Sequence, residues 1–276
     1  MINFLHNFQP NPIILSIGPI HIYWYGFFIV LGIIAAIMVT IKIARHYKIK
    51  EDQVLDLAFW LIIGGVIGAR IFHILIEWRY YLNNPIDIFK VWQGGLAIHG
   101  AIIAGLIIVY CYAKKIKTDF WKLTSIIVPG LALAQAIGRW GNYFNQELFG
   151  RPTSLPWGIF INPMNRPFEY FSNSYFHPTF LYESLGDFLI FAFLFLGQAW
   201  FIKKKKVKEI NFKILVFGYL ILYSVLRFML EYLRLDSAYI IGGLRHAQIT
   251  SLVMIIASLA WMTISLRKAK GGALEK

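Results

Sequence analysis

Between residues 138 and 150 the chain reads Gly138-Arg139-Trp140-Gly141-Asn142-Tyr143-Phe144-Asn145-Gln146-Glu147-Leu148-Phe149-Gly150, setting an arginine, two asparagines and a glutamate into an otherwise apolar sequence. Arginine in such a place suits an oxyanion, because its planar fork offers two parallel N–H donors. Asn142 and Asn145 add donors and acceptors, Glu147 is expected to hold Arg139 in place, and Gly150 closes the run with a residue that lets backbone or ligand come close. The plainer alternative is a solvated loop with capping asparagines. A second group, Tyr223, Arg227 and Glu231, repeats at i, i+4 and falls within an arc of about 80° on one helix face. There Glu231 is expected to neutralise and orient Arg227 while leaving its other donors free. His99, in the run Gly94-Gly95-Leu96-Ala97-Ile98-His99-Gly100, is either a histidine satisfied by a neighbouring helix or a proton acceptor or donor, since imidazole titrates nearest neutrality. Arg70 stands open between a structural ion pair and a site role, and Tyr25 between an interfacial anchor and a site residue. Two arginines and a histidine together suit a phosphate and a proton to be moved.

The elements that must position these groups are membrane spans. Of the 276 residues 58% are hydrophobic and 15% charged, against about 25% charged in soluble domains. Seven apolar stretches, roughly 18–41, 54–76, 95–113, 121–138, 180–202, 212–230 and 247–266, each approach the length of about 17 to 25 residues that crosses the hydrocarbon core. The fourth holds Pro129-Gly130 and Gln135, a break that a bundle of neighbours tolerates. Within the second, Gly64 and Gly68 form a small-xxx-small face for close helix packing.

Charge decides the orientation. The formal net charge of +13 sits entirely in four segments, Lys42 to Asp52, Lys114 to Lys122, Lys203 to Lys213 and Arg267 onward, while the intervening connections sum to zero. Positive charge in every second connection is the positive-inside pattern and excludes a nucleic-acid patch. The expectation is an all-α, polytopic integral membrane protein with seven transmembrane helices, N-terminus outside and C-terminus cytoplasmic. It forms a single transmembrane domain over 1–276 with an outward-facing cap segment around 139–179. The first 17 residues, interrupted by prolines at 10 and 12, are expected to lie along the outer interface. Cys111 is the only cysteine, which excludes an intrachain disulfide. Tyr25, His99, Arg139, Asn142, Arg227 and Gln248 then all map to the outward half of the bilayer, as a pocket for a phosphate would require.

The run from Gly138 to Gly150 resembles the signature of the bacterial phosphatidylglycerol:prolipoprotein diacylglyceryl transferase family. Tyr25-Gly26, Gly94-Gly95 with His99-Gly100, His177 to Glu183, and Arg227 with Glu231 are similar to further family motifs, so the likeness spans nearly the whole chain. The resemblance implies transfer of the diacylglyceryl group of phosphatidylglycerol to the lipobox cysteine thiol of an exported prolipoprotein, with release of glycerol 1-phosphate, in the bacterial cytoplasmic membrane. It places the essential histidine on His99 and the essential arginines on Arg139 and Arg227. Supporting positions fall on Tyr25, Asn142, Glu147, Gly150, Tyr223 and Glu231. Its partners are phosphatidylglycerol, prolipoproteins and membrane lipids, without nucleic acid, and it implies neither ATP nor a metal. The chain departs from the pattern near its end, where Arg245-His246-Ala247-Gln248 stands in place of the more usual Met-Gly-Gln. A membrane transporter for an anionic solute is the alternative that would also use two intramembrane arginines.

Overall fold

The computed structural model describes residues 6–204, 209–236 and 239–274. Among these residues seven helices are long and apolar enough to cross a membrane. They are α1 (Trp24–His46), α2 (Glu51–Ile76), α4 (Ile98–Lys115), α5 (Phe120–Phe144), α6 (Thr179–Lys203), α7 (Glu209–Leu230) and α8 (His246–Leu274), and a short α3 (Trp78–Asn83) follows α2. Among the described residues, strands occur as two-stranded antiparallel ladders in the connections: β1 (Ile13–Ile17) with β2 (Ile20–Tyr23), β3 (Ile159–Phe160) with β4 (Tyr175–Phe176), and β5 (Ile240–Ile241) with β6 (Leu244–Arg245). The chain divides into two compact units, Thr40–Ile126 and Met1–Val39 with Ile127–Lys276.

In the unit Thr40–Ile126, α2 and α4 meet through small residues. A Cβ on Gly68 would lie 2.5 Å from Ala104 Cβ and 2.6 Å from Gly100 O, and one on Gly100 would collide with Gly68 O. The backbones touch because neither position carries a side chain, as the Gly64/Gly68 spacing suggests. At the other end of the pair, Asp56 of α2 accepts from Tyr112 at 3.0 Å and Lys115 at 2.9 Å on α4. Arg70 forms no ion pair among the described residues: its guanidinium donates to the carbonyls of Asp87, Ile88, Gly94 and Gly95 and lies over the Tyr81 ring. Satisfying a buried arginine with backbone acceptors spares the cost of an unpaired charge and pins the loop that delivers His99 to the start of α4.

The other unit differs from the expected boundaries in several places, the last helix running on to Leu274, and two of the differences lie beside the site. Span one starts at Trp24 because residues 13–23 fold back as a hairpin, turned at Gly18 with φ 58° followed by Pro19. A glycine of positive φ leading a two-residue turn matches the twist of the strands. Residues 1–5 of the stretch expected at the interface lie outside the described residues. The second difference is that α5 continues past Arg139 to Phe144. Gly138 and Gly141 each cost the helix only about 1 kcal/mol. The gain is the burial of Tyr143, whose ring stacks on Phe180 at 4.6 Å within a core that includes Phe149, Ile159, Ile161 and Phe176. The cap therefore begins after residue 144, turned by left-handed backbone at Gln146 and Leu148. Deeper in the bundle Val128 and Ala132 of α5, Ile190 and Leu194 of α6, and Leu215 and Tyr219 of α7 form a second core.

Candidate active site

Arg139, one and a half turns before the end of α5, faces α6, where Glu183 Oε1 lies 3.0 Å from its Nη2. The contact is electrostatic, since the carboxylate oxygen sits off the N–H direction and forms no hydrogen bond, and Arg139 Nε is buried without a partner among the described residues. Arg227, at the end of α7, repeats the arrangement. Its Nη2 is 2.9 Å from Glu231 Oε2, again off the N–H line, and its Nη1 is buried without a hydrogen-bond partner among the described residues. Each arginine is thus held by one carboxylate and keeps donor capacity unused, a costly state in a sheltered site unless an acceptor arrives.

The two arginines are the ends of one alternating ladder. From Arg139 it runs through Glu183 to Arg234 (3.8 Å), Asp236 (2.7 Å), Arg245 (3.9 Å), Glu231 (3.1 Å) and Arg227. Glu183 and Glu231 have almost no exposed side chain. Outside the helices, Asp236 is pulled two ways: partial burial favours its neutral form, but the hydrogen bond and charge of Arg234, with the charge of Arg245, prevail and hold its carboxyl below the usual range. Asp187, one turn below Glu183, is wholly buried, and neither of its oxygens has a hydrogen-bond partner among the described residues.

Glu147 does not hold Arg139. It accepts from Asn142 Nδ2 at 2.8 Å, and Asn142 is itself buried. The expected pairing fails because Glu147 follows a turn that folds back on the last turn of α5, with Glu147 N donating to Asn142 O. Glu183 takes the place by Arg139. Gly150 brings the cap against the segment after α7: its N donates to His177 O, Arg151 N donates to Leu233 O, and a Cβ at Gly150 would lie 2.8 Å from His177 Cβ and 3.0 Å from Leu233 O. Gly141 makes room for Tyr25, whose Cδ2 would lie 2.8 Å from a Cβ there. Tyr25 also lines a groove of about 560 Å³ with Ile22, Tyr23, Phe27, Val30 and Asn145. Tyr223 stacks on Tyr219, which donates to Gln135 at 2.8 Å. Gln248 accepts from Arg245 N at 3.0 Å, and its Nε2 is buried without a hydrogen-bond partner among the described residues.

Tyr25, Arg139, Asn142, Glu147, Gly150, Tyr223, Arg227 and Glu231 therefore share one unit, whereas His99 belongs to the other. His99 is exposed at the first turn of α4, stacked on Phe72 at 5.8 Å, with no hydrogen bond among the described residues. Reading the sequence missed the roles of Glu183, Arg234, Asp236 and Arg245. Two signals pointed to them: Glu183 and Asp187 at i, i+4 inside an apolar span, and Arg234 continuing the charge pattern of Arg227 and Glu231.

Comparison with known proteins gives a concordant result. The family model described as prolipoprotein diacylglyceryl transferase matches residues 12–264. The phosphatidylglycerol–prolipoprotein diacylglyceryl transferase of Nostoc sp. strain PCC 7120 is 42% identical over 262 residues, covering 94% of this chain and 92% of the relative. The enzyme of that name from Finegoldia magna is 44% identical over 88% of this chain and 91% of its own length, and that of Fervidobacterium nodosum 41% identical over 92% and 85%. A match of this extent, across every helix that carries the arginine ladder, means that the chain belongs to the prolipoprotein diacylglyceryl transferase family.

Proposed function

We propose that Arg139 and Arg227 receive the phosphate of phosphatidylglycerol in the reaction that the family performs. The chain is an enzyme of lipoprotein biogenesis: it transfers the diacylglyceryl group of phosphatidylglycerol to the lipobox cysteine of a prolipoprotein and releases glycerol 1-phosphate. In that step the cysteine sulfur attacks the glyceryl carbon, a thioether bond forms, and the carbon–oxygen bond to phosphate breaks with its electron pair leaving on the phosphate oxygen. The observation that carries the assignment is the pair of half-buried arginines, each held by one carboxylate and each with a buried nitrogen that has no hydrogen-bond partner among the described residues. Donors fixed in advance where negative charge builds stabilise the transition state without reorganising, and more strongly in a sheltered site than in water. Asn142, oriented by Glu147, and Tyr223 position glycerol or phosphate oxygens, while Tyr25 and Gly150 shape the walls.

His99 is assigned the thiol proton, on the family resemblance and on an imidazole left free of hydrogen bonds among the described residues. A free cysteine titrates near about 8.5, so a base raises its reactive fraction at neutral pH. The protein is placed as a multi-pass component of the bacterial cytoplasmic membrane, one transmembrane domain with its N-terminus outside, its C-terminus cytoplasmic and its site toward the outer leaflet. The alternation of basic and neutral connections supports that placement.

The test uses purified protein in micelles with phosphatidylglycerol and a lipobox peptide, following peptide mass and glycerol phosphate together. The expected result is a thiol-dependent gain of one diacylglyceryl unit matched by glycerol phosphate, with Arg139→Ala and Arg227→Ala each losing at least about a hundredfold in rate. Folded protein that leaves the lipid intact would overturn the assignment, and anion uptake into proteoliposomes would then favour a transporter.

A further inference from the structure

Arg245 opens the stretch in which this chain departs from the family's usual Met-Gly-Gln, and its guanidinium is among the most fully engaged in the unit. Its Nε lies 3.1 Å from Glu231 Oε1, while Nη1 donates to the carbonyls of Arg234 at 2.7 Å and Glu231 at 3.2 Å, and Nη2 to that of Asp236. Two functions are combined in these contacts. The carbonyl bonds satisfy acceptors left over at the end of α7 and hold the segment that follows it. The contact with Glu231 divides that carboxylate: Oε1 goes to Arg245 and Oε2 to Arg227, 2.9 Å away.

A carboxylate with both oxygens available forms a bidentate pair with a neighbouring guanidinium, taking up two of its nitrogens in parallel. Glu231 is four residues from Arg227, has only 1% of its side chain exposed, and would do this if nothing else occupied Oε1. In the structure it does not, and Arg227 Nη1 remains buried without a partner among the described residues. We propose that Arg245 is a positioning residue that occupies one oxygen of Glu231 and thereby keeps Arg227 Nη1 available for a phosphate oxygen of the lipid. The inference rests on the assignment of Arg227 to that phosphate. Arg245 itself need not touch substrate.

The experiment is equilibrium binding of a short-chain phosphatidylglycerol to the full chain in detergent, which stays readable when turnover is lost, with thermal unfolding followed in parallel. Arg245→Gln frees Glu231 Oε1 and is expected to raise Kd about tenfold, equivalent to about 1.4 kcal/mol. Arg245→Lys keeps a cation beside Oε1 while giving up most of the carbonyl contacts. It is expected to stay within about threefold of the parent affinity even though it unfolds at a lower temperature. In a Glu231→Gln background, Arg245→Gln is expected to have almost no further effect on binding, because no carboxylate remains to be divided. Equal weakening by Gln and Lys, with the loss undiminished in the Glu231→Gln background, would show that Arg245 only staples the segment after α7 and would overturn the proposal. Should Arg245→Gln fail to fold, folded Arg245→Lys decides alone: parent-like affinity supports the proposal and a tenfold loss overturns it. Arg227→Gln separates the two levels of argument, since unchanged lipid binding in that variant removes the phosphate assignment itself, whereas weakened binding there with parent-like binding in Arg245→Gln overturns only the role of Arg245.

Discussion

At the scale of single residues, which carboxylate serves which arginine is the point on which sequence and structure part. The arginines were legible, because a charge inside an apolar run needs a reason. Their partners were only half so. Glu231 lies one turn from Arg227 on a continuous pattern and was found, whereas Glu183 reaches Arg139 from a different helix across the bundle, and proximity in sequence pointed to Glu147 instead. The difference is measurable. Glu147→Gln keeps an oxygen to accept from Asn142 and loses only charge assistance worth about 1 kcal/mol, so transfer should fall by roughly tenfold or less. Glu183→Gln removes a buried charge shared by Arg139 and Arg234, and breaking such a pair costs about 3 to 5 kcal/mol. The expected outcome is severe loss of both folded yield and transfer. Parallel assays of the two variants check it, and a Glu147→Gln enzyme as damaged as Glu183→Gln would contradict the pairing observed here.

Elements were legible where the signal is local and periodic. The Gly64/Gly68 face predicted close packing, and α2 and α4 meet there. Gly100→Ala drives a Cβ against Gly68 O, backbone that has no rotamer to yield, and should destabilise the protein by about 1 to 3 kcal/mol in thermal unfolding. Gly65→Ala, with nothing within 4 Å of its Cβ, is the matched control and should change little. The end of α5 was not legible, because its last turn is helical through burial of Tyr143 in the cap core, a tertiary term that outweighs the two glycines. The cap itself carries a pH dependence with a definite sign. Burial lowers His177 from its ordinary value of 6.5, and its Nδ1 lies 3.2 Å from the Tyr182 hydroxyl. As the pH falls through 6.5, the unfolded chain takes up a proton that folded His177 resists, so the cap loses stability toward acid and regains it above that value. Trypsin cleavage in the cap near Arg166, compared between pH 7.5 and pH 5.5 (roughly one unit either side of the free imidazole) and divided at each pH by the rate on an unstructured arginine peptide, should be relatively faster at the lower pH, and His177→Gln should flatten the difference.

For the whole molecule the deciding information is the placement of charge, which no packing argument supplies. The basic segments alternate with neutral ones along the sequence, and the neutral connections are those that hold the cap, the Arg234–Arg245 part of the ladder and the loop pinned by Arg70. Orientation and chemistry are therefore linked, because a reaction on exported proteins needs its arginines on the side where those proteins emerge. A cysteine scan tests the link. With Cys111 replaced by alanine, a single cysteine is placed at Met164, 92% exposed in the cap, or at Asp52, exposed in the first turn of α2. A membrane-impermeant maleimide added to intact spheroplasts should label Met164→Cys fully and Asp52→Cys only after permeabilisation. Labelling in the reverse order would put the arginine ladder on the cytoplasmic side, where a prolipoprotein cysteine has not yet crossed, and the substrate would have to reach the site before export. Labelling in the expected order places Arg139 and Arg227 where the lipid headgroup and the emerging thiol can meet, so the charge pattern written in the loops and the phosphate site proposed for the helices become two consequences of one topology.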